Sequence, residues 1–288
     1  MLLDFLSENK YLFDSRSEFN GEYKLHQWLM TRVRIKTNLF VGAKDDFFYL
    51  QINPESKYYL FEPDREAAQS LQEFSRSRLI SCFVSTTPLW SMSTIVKFYP
   101  EFTTCCCPKS AEEVEKAINS GLIYDPYLSQ VLASNQYRSI RELSVKNAID
   151  LSVSSFSDFR RSANDEIPEC FDFIKLDVEG SEVEVIKGMQ EAVSQSSFIQ
   201  FEHGPTWFHG GYKFSDIVEI FNYDSSFFSF YFLLKDRIVK IDPGIVKQYV
   251  FCKILASKVD FGDEQLFSYS SLEDRNHMID CNDDIIVF

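Results

Sequence analysis

Apolar and polar positions follow two periods along the chain, and the changes of period mark its elements. IKTNLFV (Ile35 to Val41) is short, β-rich and stops at Gly42, which predicts a strand. KYYLF (Lys57 to Phe61) predicts a second, halted by Glu62-Pro63-Asp64. Asp64 is placed to cap a helix through DREAAQSLQEF, where Ala67, Ala68, Leu71 and Phe74 share one face. RLISCFV (Arg78 to Val84) predicts a third strand and STIVKFY (Ser93 to Tyr99) a connecting one. From Pro100 to about Asn147 the pattern turns helical. Ser110 and Glu113 form a capping box there, and the helix they open stops at Gly121. FDFIKLDV, interrupted only by Asp172 and Lys175, reads as a strand buried on both faces. Val183, Ile186, Met189 and Val193 continue it at helical spacing. SFIQFE (Ser197 to Glu202) is a further strand and FSDIVEIF (Phe214 to Phe221) a short helix. FFSFYFLL and QYVFCKIL then form a closing strand pair around Asp242-Pro243-Gly244.

Strands alternating with helices predict an α/β fold, a doubly wound and mostly parallel sheet. The two late strands, with little helix between them, predict an antiparallel edge. No repeat or Pro/Gly linker divides the chain. The expectation is an N-terminal helical extension over 1–34, one domain over 35–256 with a helical insertion at about 100–147, and a C-terminal tail over 257–288.

Composition narrows the function classes. The 43 Asp and Glu against 29 Lys and Arg give a net charge of −14, a field that repels phosphate backbones and anionic lipid. Nucleic acid and membrane are therefore not expected partners. No stretch approaches the roughly 18 apolar residues of a membrane span, and MLLDFLSENKYLFDSR lacks the basic leader and apolar run of a signal peptide. Seven cysteines without paired spacing argue for a reducing compartment, so a cytoplasmic location is expected. The triplet Cys105-Cys106-Cys107 has no CxxC partner and lacks the spacing that lets thiolates converge on zinc.

In an open parallel sheet, ligands bind beyond the carboxyl ends of the strands. Five strand ends carry candidate chemistry. Val41-Gly42-Ala43 lets backbone approach a ligand, but Asp45 and Asp46 would repel a pyrophosphate, which disfavours a nicotinamide enzyme. Glu62 lies 20 residues after Gly42, the offset at which a carboxylate accepts hydrogen bonds from ribose hydroxyls. Beyond Val84-Ser85 an adenine-sized ring would lie. Asp177 and Glu179 end the buried strand, with Asp177 facing the ligand and Glu179 holding the turn; Glu202 and His203 end the next one.

These residues resemble a family. FDFIKLDVEGSEVEVIKG is similar to the hallmark segment of FkbM-type methyltransferases, Phe61-Glu62-Pro63-Asp64 to the family's FEP motif, and Phe40-Val41-Gly42-Ala43 to its DVGAN loop. The resemblance runs from about Ile35 to Lys253. It implies a Rossmann-like methyltransferase sheet and O-methylation from S-adenosylmethionine, often of a sugar or glycan hydroxyl. Val41, Gly42, Ala43, Glu62, Pro63, Ser85 and Asp177 would then hold the cofactor. Asp177 or His203 would be the base that removes the acceptor's proton. Alternatively, Asp177 and Glu202 would ligate a magnesium ion that acidifies the hydroxyl. The aromatic run WFHGGY (Trp207 to Tyr212) is either an acceptor platform or a loop anchored by core rings. Phe40 stands where the family has Asp, and Lys44-Asp45-Asp46 replaces its Asn-x-Gly. Those departures motivate the rival reading, a catalytically silent, methyltransferase-like binding protein.

Overall fold

The computed structural model describes residues 21–163, 167–222 and 228–266, and the backbone of 279–280. Its frame is a nine-stranded sheet. In chain order the strands are β1 (Thr37–Val41), β2 (Lys57–Phe61), β3 (Cys82–Ser85), β4 (Phe173–Leu176), β5 (Phe198–His203), β6 (Ser229–Leu233), β7 (Arg237–Ile241), β8 (Cys252–Ser257) and β9 (Glu264–Leu266). Their spatial order is β9-β7-β6-β8-β5-β4-β1-β2-β3. β1 to β5 run parallel to one another, and β8, β6, β7 and β9 add an antiparallel edge. The chain winds outward from β1 to β3, then crosses back to β4 on the other side of β1. That reversal makes the β1–β4 boundary the switch point at which such sheets bind ligands.

Strand parity sorts the core. Leu39, Val41, Ile174, Leu176, Ile199 and Phe201 face helices Glu182–Gly188, Gln190–Gln195 and Phe214–Asn222. Phe40, Phe173 and Phe198 face the opposite layer, built on helices Glu22–Arg32, Phe47–Ile52 and Arg65–Ser77. The N-terminal helix is therefore part of the sandwich, with Leu25, Trp28 and Leu29 fully buried. Both predicted caps form: Asp64 accepts from Glu66 N and Ala67 N, and Ser110 and Glu113 bond reciprocally ahead of helix Ala111–Asn119.

Several elements differ from expectation. β7 precedes the Asp242-Pro243-Gly244 turn, so β6 first forms a hairpin with β7 and then receives β8 on its other side. The sheet also continues past residue 256, because β9 pairs with β7. The rest of the expected tail, 267–278 and 281–288, lies outside the described residues, as do residues 1–20 of the expected N-terminal extension. The helix after Gly180 breaks at Met189, whose φ of −126° is not helical. Strand Thr94–Phe98 leaves the main sheet and pairs antiparallel with Ile149–Val153, so the insertion's two ends are zipped together. Among the described residues no helix is long and apolar enough to cross a membrane.

Candidate active site

At the switch point the loops after β1 and β4 touch. Asp177 N donates to Val41 O at 2.9 Å, and Gly42 N donates to Phe61 O at 2.8 Å. Gly42 has φ 79°, and a Cβ added there would sit 1.9 Å from the Asp177 carbonyl oxygen. Glycine is thus required both by conformation and by the close approach. Glu62 closes the next junction. Its two carboxylate oxygens accept from Lys44 N (2.9 Å) and Asp64 N (2.8 Å), while its own N–H donates to Ser85 O. Burial raises its carboxyl above the ordinary range against the pull of those two donors.

On the face shared with the N-terminal helix lies a buried charge cluster. Lys175 Nζ contacts Asp46 at 3.0 Å and Asp177 at 3.4 Å. Lys253 Nζ contacts Glu202 at 2.7 Å, Asp177 at 3.2 Å and Glu22 at 3.9 Å. Gln200 donates to Glu22 from the same face. Parity explains the gathering: Lys175, Gln200 and Glu202 point one way from their strands, and Lys253 lies opposite Glu202 in register. Only Asp177 opens outward, with 27% of its side chain exposed against 4% and 5% for the lysines. Burial alone would raise the Asp177 carboxyl, but the Lys253 and Lys175 ammoniums hold it below its ordinary value. Burial pushes Asp46 and Glu202 up to about 7 despite their lysine partners.

The Methyltransferase FkbM domain matches residues 41–227, from the end of β1 to the start of the antiparallel edge. The chain belongs to the FkbM methyltransferase family. No curated protein matches it. Among solved structures it is similar to the precorrin-6y C5,15-methyltransferase of Geobacter metallireducens, at 8% identity and TM-score 0.40 over 86% of this chain and 91% of that one. It is also similar to the plantazolicin methyltransferase BpumL in complex with SAH (7% identity, TM-score 0.40, 89% and 88% of the two chains). The spermidine synthase of Thermotoga maritima aligns at 10% identity and TM-score 0.36, over 83% of this chain and 60% of that one.

Within this FkbM domain the hallmark segment builds an unusual turn. Glu179 and Gly180 both adopt positive φ, 52° and 93°, and a Cβ on Gly180 would meet the Thr206 backbone at 2.8 Å. The side chain holding the turn is Glu182, which sequence reasoning missed: fully buried, it accepts from Val178 N at 3.0 Å. Glu179, expected in that role, is exposed. Burial, with Glu202 adding its charge, pushes the Glu182 carboxyl up to about 8. Phe40, where the family has Asp, packs edge-on to Tyr49 and Tyr58 and lies beside Lys175 in register. Lys175 takes its carboxylate instead from Asp46, in the loop after β1.

Other candidates fall away from the crevice. His203 is 2% exposed on the opposite face, edge-on to Trp207 and stacked on Tyr249, and burial pushes its pKa down to about 4. It is sealed off from the crevice, so of the two candidates only Asp177 reaches the ligand edge. The magnesium alternative also meets an obstacle, since the cation lying between Asp177 and Glu202 is the Lys253 ammonium. Trp207 and His209 are buried in helix Pro205–Gly210, with His209 against Phe102 and Tyr137 of the insertion. WFHGGY is therefore an anchor for the insertion. Cys106 docks the same segment, its Sγ donating to Gly180 O at 3.3 Å.

Proposed function

We propose that this chain is an S-adenosylmethionine-dependent O-methyltransferase acting on a sugar or glycan hydroxyl. The observation that carries the reading is the partly exposed Asp177 carboxylate at the β1–β4 switch point of an FkbM domain. The sugar rests on the family resemblance, and the chemistry of the donor set supports the cofactor. Each Glu62 oxygen accepts one backbone N–H and keeps capacity for a ribose hydroxyl. Val41, Gly42, Ala43 and Pro63 form the junction beside it, and Ser85 marks the strand end where the base would lie. The acidic floor of Asp46, Asp177 and Glu202 suits a ligand bearing ammonium and sulfonium charges.

Bound there, the cofactor supplies an electrophilic methyl group on a positively charged sulfur. The chain's part is alignment, because displacement at carbon requires the acceptor oxygen, methyl and sulfur in line. Asp177 stays ionised between its two ammoniums, so it accepts a hydrogen bond from the acceptor hydroxyl and turns an oxygen lone pair toward the methyl. As a weak base it takes the proton late, once the forming bond has acidified the hydroxyl.

Calorimetric titration with S-adenosylmethionine and S-adenosylhomocysteine tests the cofactor, and a screen of sugars for methyl-group mass gain tests the acceptor. Saturable binding followed by methylation of a hydroxyl is expected. Absence of binding by either molecule would leave the silent, partner-binding reading.

A further inference from the structure

Two opposite charges at the mouth of the crevice have no side-chain partner among the described residues. Lys44 stands two residues after Gly42 and Glu179 two residues after Asp177, so they flank the point where the two loops touch. Both residues are exposed, and neither side chain enters an ion pair or hydrogen bond among the described residues. They lie within each other's field, since the charges acting on Glu179 are Asp177, Lys253 and, across the gap, Lys44. Opposite charges held near each other without pairing leave a gap that a third group can fill. The other acids of the crevice are engaged: Asp46 by Lys175, Glu202 by Lys253, Asp177 by both lysines, and Glu62 by two backbone N–H groups.

The backbone shows that Glu179 is kept at a cost. Its φ of 52° lies in the left-handed region, where glycine or asparagine fits with less strain. The turn does not need its side chain, because Glu182 accepts from Val178 N and Gly180 makes the close approach to Thr206. A strained residue without a local contact is the pattern of one retained for a ligand. Lys44 repeats the pattern on the other loop: where the family has Asn, a chain of net charge −14 places a cation and leaves it unpaired. Phe40, standing where the family has Asp, packs against Tyr49 and Tyr58 and offers no carboxylate. Asp45, the remaining unpartnered acid of that loop, acts on Tyr23 of the N-terminal helix instead.

We propose that Lys44 and Glu179 form a clip for an amino-acid zwitterion, Glu179 accepting hydrogen bonds from the α-ammonium and Lys44 donating to the α-carboxylate of the methyl donor. The inference rests on the methyltransferase reading above. The clip opposes one charge to each end of the zwitterion and makes no use of the sulfur. Donor and spent thioether are therefore gripped alike at this end, and their discrimination is left to the acidic floor.

Titration calorimetry of the full chain with S-adenosylhomocysteine tests the clip, because that ligand carries the amino-acid end and no net charge. Glu179→Gln and Lys44→Met should each weaken its binding by about tenfold or more, the scale of a lost charge-assisted contact. S-adenosylmethionine should lose affinity in both variants as well. A field effect alone gives a different pattern: loss of the Lys44 charge would then tighten the cationic donor, and the neutral thioether would not respond to either variant. Circular dichroism checks folding; should Glu179→Gln not fold, Glu179→Gly, which relieves the positive φ, replaces it. Asp45→Asn should bind as the wild type does. Wild-type affinity for S-adenosylhomocysteine in either charge variant, or an equal loss in Asp45→Asn, overturns the clip and leaves the methyltransferase reading standing. No binding of either ligand by the wild type overturns both.

Discussion

Asp177 is a carboxylate with two ammonium neighbours and one exposed side, and that arrangement makes its substitution informative. Asp177→Asn keeps the shape and removes the hydrogen-bond-accepting charge. Turnover should fall by about 10²-fold or more, the scale of a lost acid–base group, and by more than cofactor binding weakens. Steady-state kinetics beside calorimetry checks this, and normal turnover would remove the role. Glu62→Ala should act in the other direction, weakening cofactor binding by about tenfold or more, because it removes both acceptor oxygens and frees the Lys44 and Asp64 amides. Asp177, Glu62 and Gly42 were legible in the sequence because they sit at strand ends within recognisable segments. Lys175 and Lys253 were visible only as single charges inside apolar runs, and nothing in the local pattern pairs them with Asp46, Glu202 or Glu22. Their meeting depends on strand parity and on the β5–β8 register, which only the folded sheet fixes.

At the scale of elements, two joints carry most of the local consequence. Gly42→Ala forces a Cβ against the Asp177 carbonyl at a positive φ, so the β1 and β4 ends must separate. The melting temperature should drop sharply and cofactor binding should be lost with it, in line with strain at a special backbone site. Ser110→Ala, by contrast, removes one half of a capping box and should cost about 1 kcal/mol, measurable by denaturant titration. The long parallel strands and both caps were readable because their apolar runs and turn residues agree. β7 was not: RIVKI is five residues with a charge near each end, and its place comes from pairing with β6. The break at Met189 escaped notice because apolar spacing continues across it while the backbone does not.

For the whole molecule, buried titratable groups set a pH profile with two opposing slopes. His26, His203 and His209 are pushed down to about 3, 4 and 4, chiefly by burial, so below their ordinary 6.5 the unfolded chain binds protons that the folded chain refuses. That stability is present above 6.5 and is lost as pH falls. Asp46, Glu182 and Glu202 are raised to about 7, 8 and 7, so the folded chain retains protons that the unfolded chain gives up. Their contribution is complete below the ordinary carboxylate range and is lost as pH rises to about 8. The slopes offset between about 4.5 and 6.5, and above 6.5 only the carboxyls act. Thermal melts should therefore show a plateau in mildly acidic buffer and a decline from pH 6.5 to 8, with Glu182→Gln making the decline shallower. An unchanged alkaline limb in that variant would remove Glu182 from this account.

The ribbon formed by Thr94–Phe98 and Ile149–Val153 has one more implication. Phe98 lies opposite Ile149, so the chain departs for the intervening segment and comes back at neighbouring points, one strand spacing apart. A segment attached in this way can lengthen, shorten or change sequence over generations without shifting the register of the nine-stranded sheet. The Asp-Val-Glu-Gly turn and the Glu62 junction stay in place, while the surface that docks on Gly180 and His209 is free to diverge. Relatives that share the crevice and differ in what they modify would be expected to differ here first.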